Sequence, residues 1–249
     1  MTPFDSIASV LNDALQLTLP PVGIAFTDDA PEGIARYQGT APGGCRFWQE
    51  AMTQVFATVP RDHDLCAIGL YTHHLDGDAR TQADLQDALK VFGDLGYVRP
   101  EDMPFIPVLK RKAKVVVYGP LNSLPLPPDV VLLFVKSEQM LILAEASQQM
   151  DNGLPPAMGR PACAVIPQAL NTGRTALSLG CCGARSYLDA LTPDLALYAI
   201  PGLKLKAFTE RVEVLAKANA VLKTFHTMRR AEVEAGRHPS VRESLNALQ

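Results

Sequence analysis

Three segments of this chain share one arrangement: a leucine, one or two prolines in a turn, then an uninterrupted apolar run. They are Leu19-Pro20-Pro21 before Val22–Phe26, Leu126-Pro127-Pro128-Asp129 before Val130–Val135, and Leu191-Thr192-Pro193-Asp194 before Leu195–Ile200. Proline is tolerated at the first position of a strand and not in its middle, so each run reads as a strand entered through a turn. Short apolar runs bounded in this way suit strands buried on both faces. Lys114–Tyr118 and Ala176–Leu179 read as two further strands.

Helical patterns alternate with these runs. Ile7, Val10, Leu11, Ala14 and Leu15 fall at helical spacing, with Asp5 or Ser6 as a cap, and Leu19-Pro20-Pro21 stops the element. From Arg46 the residues Phe47, Met52, Val55, Phe56 and Val59 predict an apolar helix face. Thr81 and Asp84 form a start resembling a capping box, with Leu85, Leu89, Phe92 and Leu95 as the stripe and Gly96 as the C-terminal glycine. Glu138–Met150 follows the 130–135 strand as a helix. The longest periodic stretch runs from about Leu205 to Arg230, with Phe208, Val212, Leu215, Leu222 and Phe225 as its stripe. That length suits either a helix lying on its own sheet or one that also pairs with a second subunit, giving a homodimer. The expectation is one α/β or α+β domain over residues 1–236, a mixed sheet flanked by helices, and a C-terminal tail at 237–249.

Charge and motifs exclude several functions. Lys plus Arg number 23 against 26 Asp plus Glu, so there is no basic excess for a nucleic-acid partner. No apolar run reaches the ~18–20 residues that span a bilayer, so no membrane partner is expected. Walker, G-x-G-x-x-G, G-x-S-x-G and H-E-x-x-H motifs are all missing from the sequence. Asp5 and Asp13 stand where a secretory signal would carry basic and apolar regions, and five cysteines is an odd number. Both point to a reducing cytoplasm.

The five cysteines carry the candidate chemistry. Cys45, Cys66, Cys163, Cys181 and Cys182 are spread singly or as one pair, most of them beside Gly or Pro. Taken one at a time, each reads as a small buried hydrophobe. As a set on turns they point to a thiolate site assembled by folding, because no compact C-x-x-C pattern occurs. In Ser178-Leu179-Gly180-Cys181-Cys182-Gly183-Ala184-Arg185 a strand ends, two thiols follow, and a short helix is expected near Ala184. A helix N-terminus favours thiolate. Arg185, with Arg174 and Arg160, is a candidate for an anionic ligand. Trp48, three residues after Cys45, suits a shielded cofactor edge, or plain core. His63, His73 and His74 could add zinc ligands, though histidines in a polar stretch more often read as solvated.

Several of these segments together resemble one known family. Leu-Pro-Pro-Val-Gly-Ile-Ala-Phe, Cys45 with Trp48, Cys66 before Ala-Ile-Gly, Tyr-Gly-Pro-Leu, Arg-Pro-Ala-Cys163, Ser-Leu-Gly-Cys-Cys-Gly-Ala-Arg and Ala-Ile-Pro-Gly are similar to domain-of-unknown-function family 169, the uncharacterised ArCR proteins of archaea and anaerobic bacteria. The resemblance runs from about Leu15 to Leu205. It implies that Cys45, Cys66 and Cys163 belong to the family signature and Cys181 to a frequent variant, with Cys182 peculiar to this chain or a subgroup.

The resulting expectation is a cysteine-ligated metal centre, most simply an iron–sulfur cluster, with Cys45, Cys66, Cys163 and Cys181 as ligands. It would serve redox or small-molecule activation. Zinc in place of the cluster is one alternative. A metal-free thiol enzyme binding a small molecule is another, and a non-catalytic dimeric accessory or sensor protein a third.

Overall fold

Seven strands form one mixed sheet in the order β2-β3-β1-β4-β7-β6-β5, in a computed structural model that describes residues 4–247. The strands are β1 (Val22–Thr27), β2 (Phe56–Thr58), β3 (Val115–Pro120), β4 (Val130–Val135), β5 (Ala157–Met158), β6 (Ala176–Ser178) and β7 (Ala196–Pro201). Every pair is antiparallel except β5 with β6. Along β3 and β4 every residue is buried, because both faces of the sheet are covered. The fold is α/β with a mixed sheet and a long C-terminal helix, as the alternating pattern implied.

The two-residue period of the strands sorts their side chains. Val131, Leu133, Val135, Tyr198 and Ile200 face a layer made by α1 (Asp5–Leu15), α5 (Ser137–Met150) and α7 (Leu205–Glu234). Val116, Tyr118, Leu132, Phe134 and Leu197 face the other way. That side is covered by short helices: α2 (Gly44–Glu50), α3 (Ala67–Thr72) and α6 (Val165–Thr172). Outside them lies α4 (Ala79–Asp94), in which only Thr81 is fully buried.

Several elements differ from the sequence reading. The helix after Arg46 begins earlier, at Gly44, and ends at Glu50; Phe56–Thr58 instead pair with β3 as β2. The apolar residues at 47, 52, 55, 56 and 59 belong to a helix, a turn and a strand that happen to mimic one helical stripe. The first helix stops at Leu15, with Gln16 in the left-handed region at φ 52°, well before the prolines, and its N-cap is Phe4 with no side-chain cap. Asp78, and not Thr81, caps α4, accepting from the Thr81 amide at 2.8 Å; Gly96 follows the helix at φ 69° as expected.

The last helix is longer than the sequence stripe, and the stripe is not uniformly covered. Phe208, Val212 and Phe225 are buried, Leu215 is partly buried, and Leu222 is half-exposed. The segment read as a tail contains α8 (Val241–Asn246), capped by Ser240 and lying against α7; residues 1–3 and 248–249 of the expected domain and tail fall outside the described residues. No helix among the described residues is long and apolar enough to cross a membrane.

Candidate functional site

All five cysteines border one cavity of about 360 Å³. They reach it from four separate segments. Cys45 is in the first turn of α2, Cys66 is the N-cap of α3, Cys163 sits in a 3-10 turn (Ala162–Ala164) that runs into α6, and Cys181 and Cys182 follow β6. All are free thiols. Cys45 and Cys163 are buried, Cys66 and Cys181 half-buried, and Cys182 exposed. Beyond the cysteines the cavity is walled mainly by apolar side chains of α4 and of the segment after it, among them Leu89, Phe92, Tyr97 and Ile106.

The thiols crowd one another electrostatically. Burial pushes the Cys45 thiol well above its usual range, and negative charge on Cys163, Cys66 or Cys181 would raise it further. Cys163 is pushed up in the same way, first by burial and then by Cys66, while the Thr72 hydroxyl acts in the opposite sense. Burial also raises Cys66, against the pull of the Gly44 and Gly69 amides. The Ala184 amide donates to the Cys181 sulfur at 3.5 Å. A Cβ on Gly69 would stand 2.7 Å from the Cys66 sulfur, so a glycine there leaves the thiol its place.

Among the described residues, no three of His, Cys, Asp and Glu form a ready-made site for a single metal ion. The thiols surround a cavity and do not close on a point. One tetrahedral zinc, with Zn–S bonds of about 2.3 Å, would need its ligands to converge on a single point.

On the same side of the sheet, several buried polar groups have no partner among the described residues. Among the described residues, the Tyr118 hydroxyl, the Trp48 indole nitrogen and His63 Nδ1 have no hydrogen bond. Tyr118 projects from β3 and stacks on Phe47 at 5.6 Å; burial raises its pKa, and charge on Cys66, Cys45 or Cys163 would raise it further. Unpartnered buried donors are rare and costly, on the order of 1–3 kcal/mol each. Tyr118 was not singled out in the sequence. Its signal was parity: it falls two residues from Val116 in a buried strand, on the face that carries the thiols.

His63 and His73 behave as neutral buried groups. Burial lowers His63 to about 3, with His73 adding to the effect, and lowers His73 to about 4. His63 Nε2 lies 2.9 Å from the Thr58 hydroxyl. His74 contacts the Leu109 carbonyl through Nδ1 at 2.8 Å. In the unfolded chain a histidine titrates near 6.5, so the unfolded state binds more protons than the folded state between that pH and about 4. Stability present above pH ~6.5 is therefore lost as the pH falls, by up to ~1.4 kcal/mol per pH unit for each histidine. Urea melts from pH 7 to 5 will show this slope, and it will be shallower in His73→Leu.

Of the three arginines singled out in the sequence, Arg160 lines the cavity, while Arg174 and Arg185 are engaged by other groups. Arg174 donates to the Pro155 carbonyl at 2.5 Å and lies 3.8 Å from Asp151, away from the cavity. Arg185 spends its guanidinium on backbone, bonding the carbonyls of Leu179, Leu191, Thr192 and Leu195 at 2.6–3.4 Å. It tethers the cysteine turn to the loop before β7. Near Ala184 the turn is π-helical (Gly183–Tyr187) and not the start of an ordinary helix. Trp48 is buried in α2 and does not line the cavity.

The family model describing uncharacterised ArCR proteins, domain-of-unknown-function family 169, matches residues 10–211. The chain belongs to that family. The matched span runs from α1 into α7 and takes in all five cysteines, the cavity walls and Tyr118. No curated protein and no solved structure matches the chain.

Proposed function

We propose that this protein holds a cysteine-ligated metal centre, with an iron–sulfur cluster the form its thiols suit best, and that the centre serves redox chemistry or small-molecule activation. The observation that carries this reading is the meeting of Cys45, Cys66, Cys163 and Cys181, from four segments, at one cavity. Thiols set around a space rather than a point suit a polynuclear cluster, whose several irons separate their ligands, better than a lone zinc. With Cys181 as fourth ligand the centre is closed; without it one iron stays open to a small molecule.

Two physical features support the fit. The unpartnered Tyr118 hydroxyl is close enough to three of the thiols to feel their charge, and bridging sulfides accept hydrogen bonds. The raised thiols make a metal-free nucleophile the weaker reading, since Cys45, Cys66 and Cys163 keep their protons near neutral pH unless a cation compensates them. Free thiols also accord with a reducing cytoplasm.

The test is anaerobic reconstitution with iron(II) and sulfide at several pH values in competition with a chelator, read by the thiolate-to-iron charge-transfer band. Each raised thiol must lose a proton to bind, so the apparent affinity will rise with pH by up to about tenfold per unit for each proton released. A pH-independent affinity, or no charge-transfer band, would count against thiolate ligation.

The homodimer remains a reading of α7. Val214, Val221 and Met228 are exposed at seven-residue spacing, the repeat that lets two helices pair. Light scattering distinguishes a dimer from a monomer of 26.9 kDa.

A further inference from the structure

The cavity has a second half that the thiols do not explain. Its outer wall is α4 and residues 97–106, and these elements are loosely buried. Tyr187 is 69% exposed, Tyr97 58% and Leu65 47%, all lining this cavity, while α4 itself buries one residue completely. Isolated exposed apolar residues are ordinary; a cluster around a concave opening marks a binding site. The volume, about 360 Å³, lies at the small end of the range for small-molecule sites.

Charge at the cavity is sparse and uneven. Asp84 and Arg160 are the charged residues that line it. Asp84 has a partner in Arg80 at 3.9 Å. Arg160 is exposed and makes no hydrogen bond or ion pair among the described residues; the acid it influences, Asp102, is already held by Arg99 at 2.8 Å. The opening therefore offers an apolar body and one uncommitted guanidinium.

We propose that this cavity binds a small, largely apolar molecule carrying one anionic group, its body against Leu89, Phe92, Tyr97 and Tyr187 and its charge on Arg160. The inference rests on the metal reading only for what the ligand meets at the thiol floor. The walls and the guanidinium are the same without metal.

Two probes with a shared aromatic body test it. 8-Anilinonaphthalene-1-sulfonate carries the anion, and N-phenyl-1-naphthylamine does not. Both are titrated by fluorescence against the full chain, metal-free and after anaerobic reconstitution. Both should bind the metal-free chain at one site. Arg160→Gln should weaken the sulfonate roughly tenfold or more and leave the neutral probe unchanged, the loss expected of a charge-assisted contact. Leu89→Glu should weaken both, and Leu203→Glu, at a fully exposed leucine outside the cavity, neither. Sulfonate binding indifferent to Arg160→Gln, or no saturable binding of either probe, overturns the proposal. So does binding that falls as protein concentration rises, which would mark a face covered by a second copy. Probe binding that survives while reconstitution fails would refute the metal centre and leave the ligand site standing.

Discussion

Replacing Cys163 by serine is expected to abolish metal loading while leaving the chain folded. Cys163 is buried at the cavity wall, beside Cys45, Cys66 and Cys181, with the Thr72 hydroxyl acting on its sulfur. Serine is nearly isosteric, and Thr72 offers its hydroxyl a partner, so the stability change should stay within about 2 kcal/mol. The loss of a thiolate ligand is far larger. Even outer partners of a metal ligand are worth about 10–100-fold in affinity, and a ligand at least that. Metal per chain after anaerobic reconstitution should fall to background in Cys163→Ser, with the circular dichroism unchanged. Cys182→Ser should load normally, since Cys182 is exposed. Full loading of Cys163→Ser would remove Cys163 from the ligand set.

The second large effect is at Gly159. A Cβ there would lie 2.5 Å from the Cα of Val165 and 2.7 Å from its nitrogen. Both are backbone atoms at the start of α6, so no side-chain rotation relieves the clash. The Gly159 amide also donates to the Leu177 carbonyl at 2.8 Å, which holds the strand end in place. Gly159→Ala should cost about 3 kcal/mol, the upper part of the range for overpacking, or roughly 6–12 °C in melting temperature. The segment that must move carries Cys163, so metal loading should fall as well. A thermal melt unchanged within about 2 °C would show that the two segments do not approach as closely as described.

Much of the sheet was legible because its central strands are buried on both faces. Val22–Thr27, Val115–Pro120, Val130–Val135 and Ala196–Pro201 are apolar without interruption, and proline turns mark several of their starts. Phe56–Thr58 was lost because a three-residue strand carries too little period to compete with a chance helical stripe. Strand order, with β1 between β3 and β4, depends on pairings between residues about 90–110 positions apart, which local patterns do not encode.

The site divides along the same line. Cysteines flanked by Gly and Pro announced themselves, and their segments do meet at one cavity. Tyr118 did not, because a tyrosine ending a valine run is an ordinary strand residue until the face it shares with the thiols is known. The bonds of Arg185 were not legible for a related reason: its four carbonyl partners come from loops, whose unpaired backbone no residue pattern reveals.

The central claim is that the cysteine cavity houses an iron–sulfur cluster. The most direct measurement is iron and acid-labile sulfide per chain, in protein purified without oxygen and again after anaerobic reconstitution, read beside the visible spectrum. The account predicts about one sulfide per iron, roughly four irons per chain for a [4Fe–4S] centre, and a broad visible band that bleaches on reduction. A folded chain with neither iron nor sulfide, and none taken up on reconstitution, would contradict it.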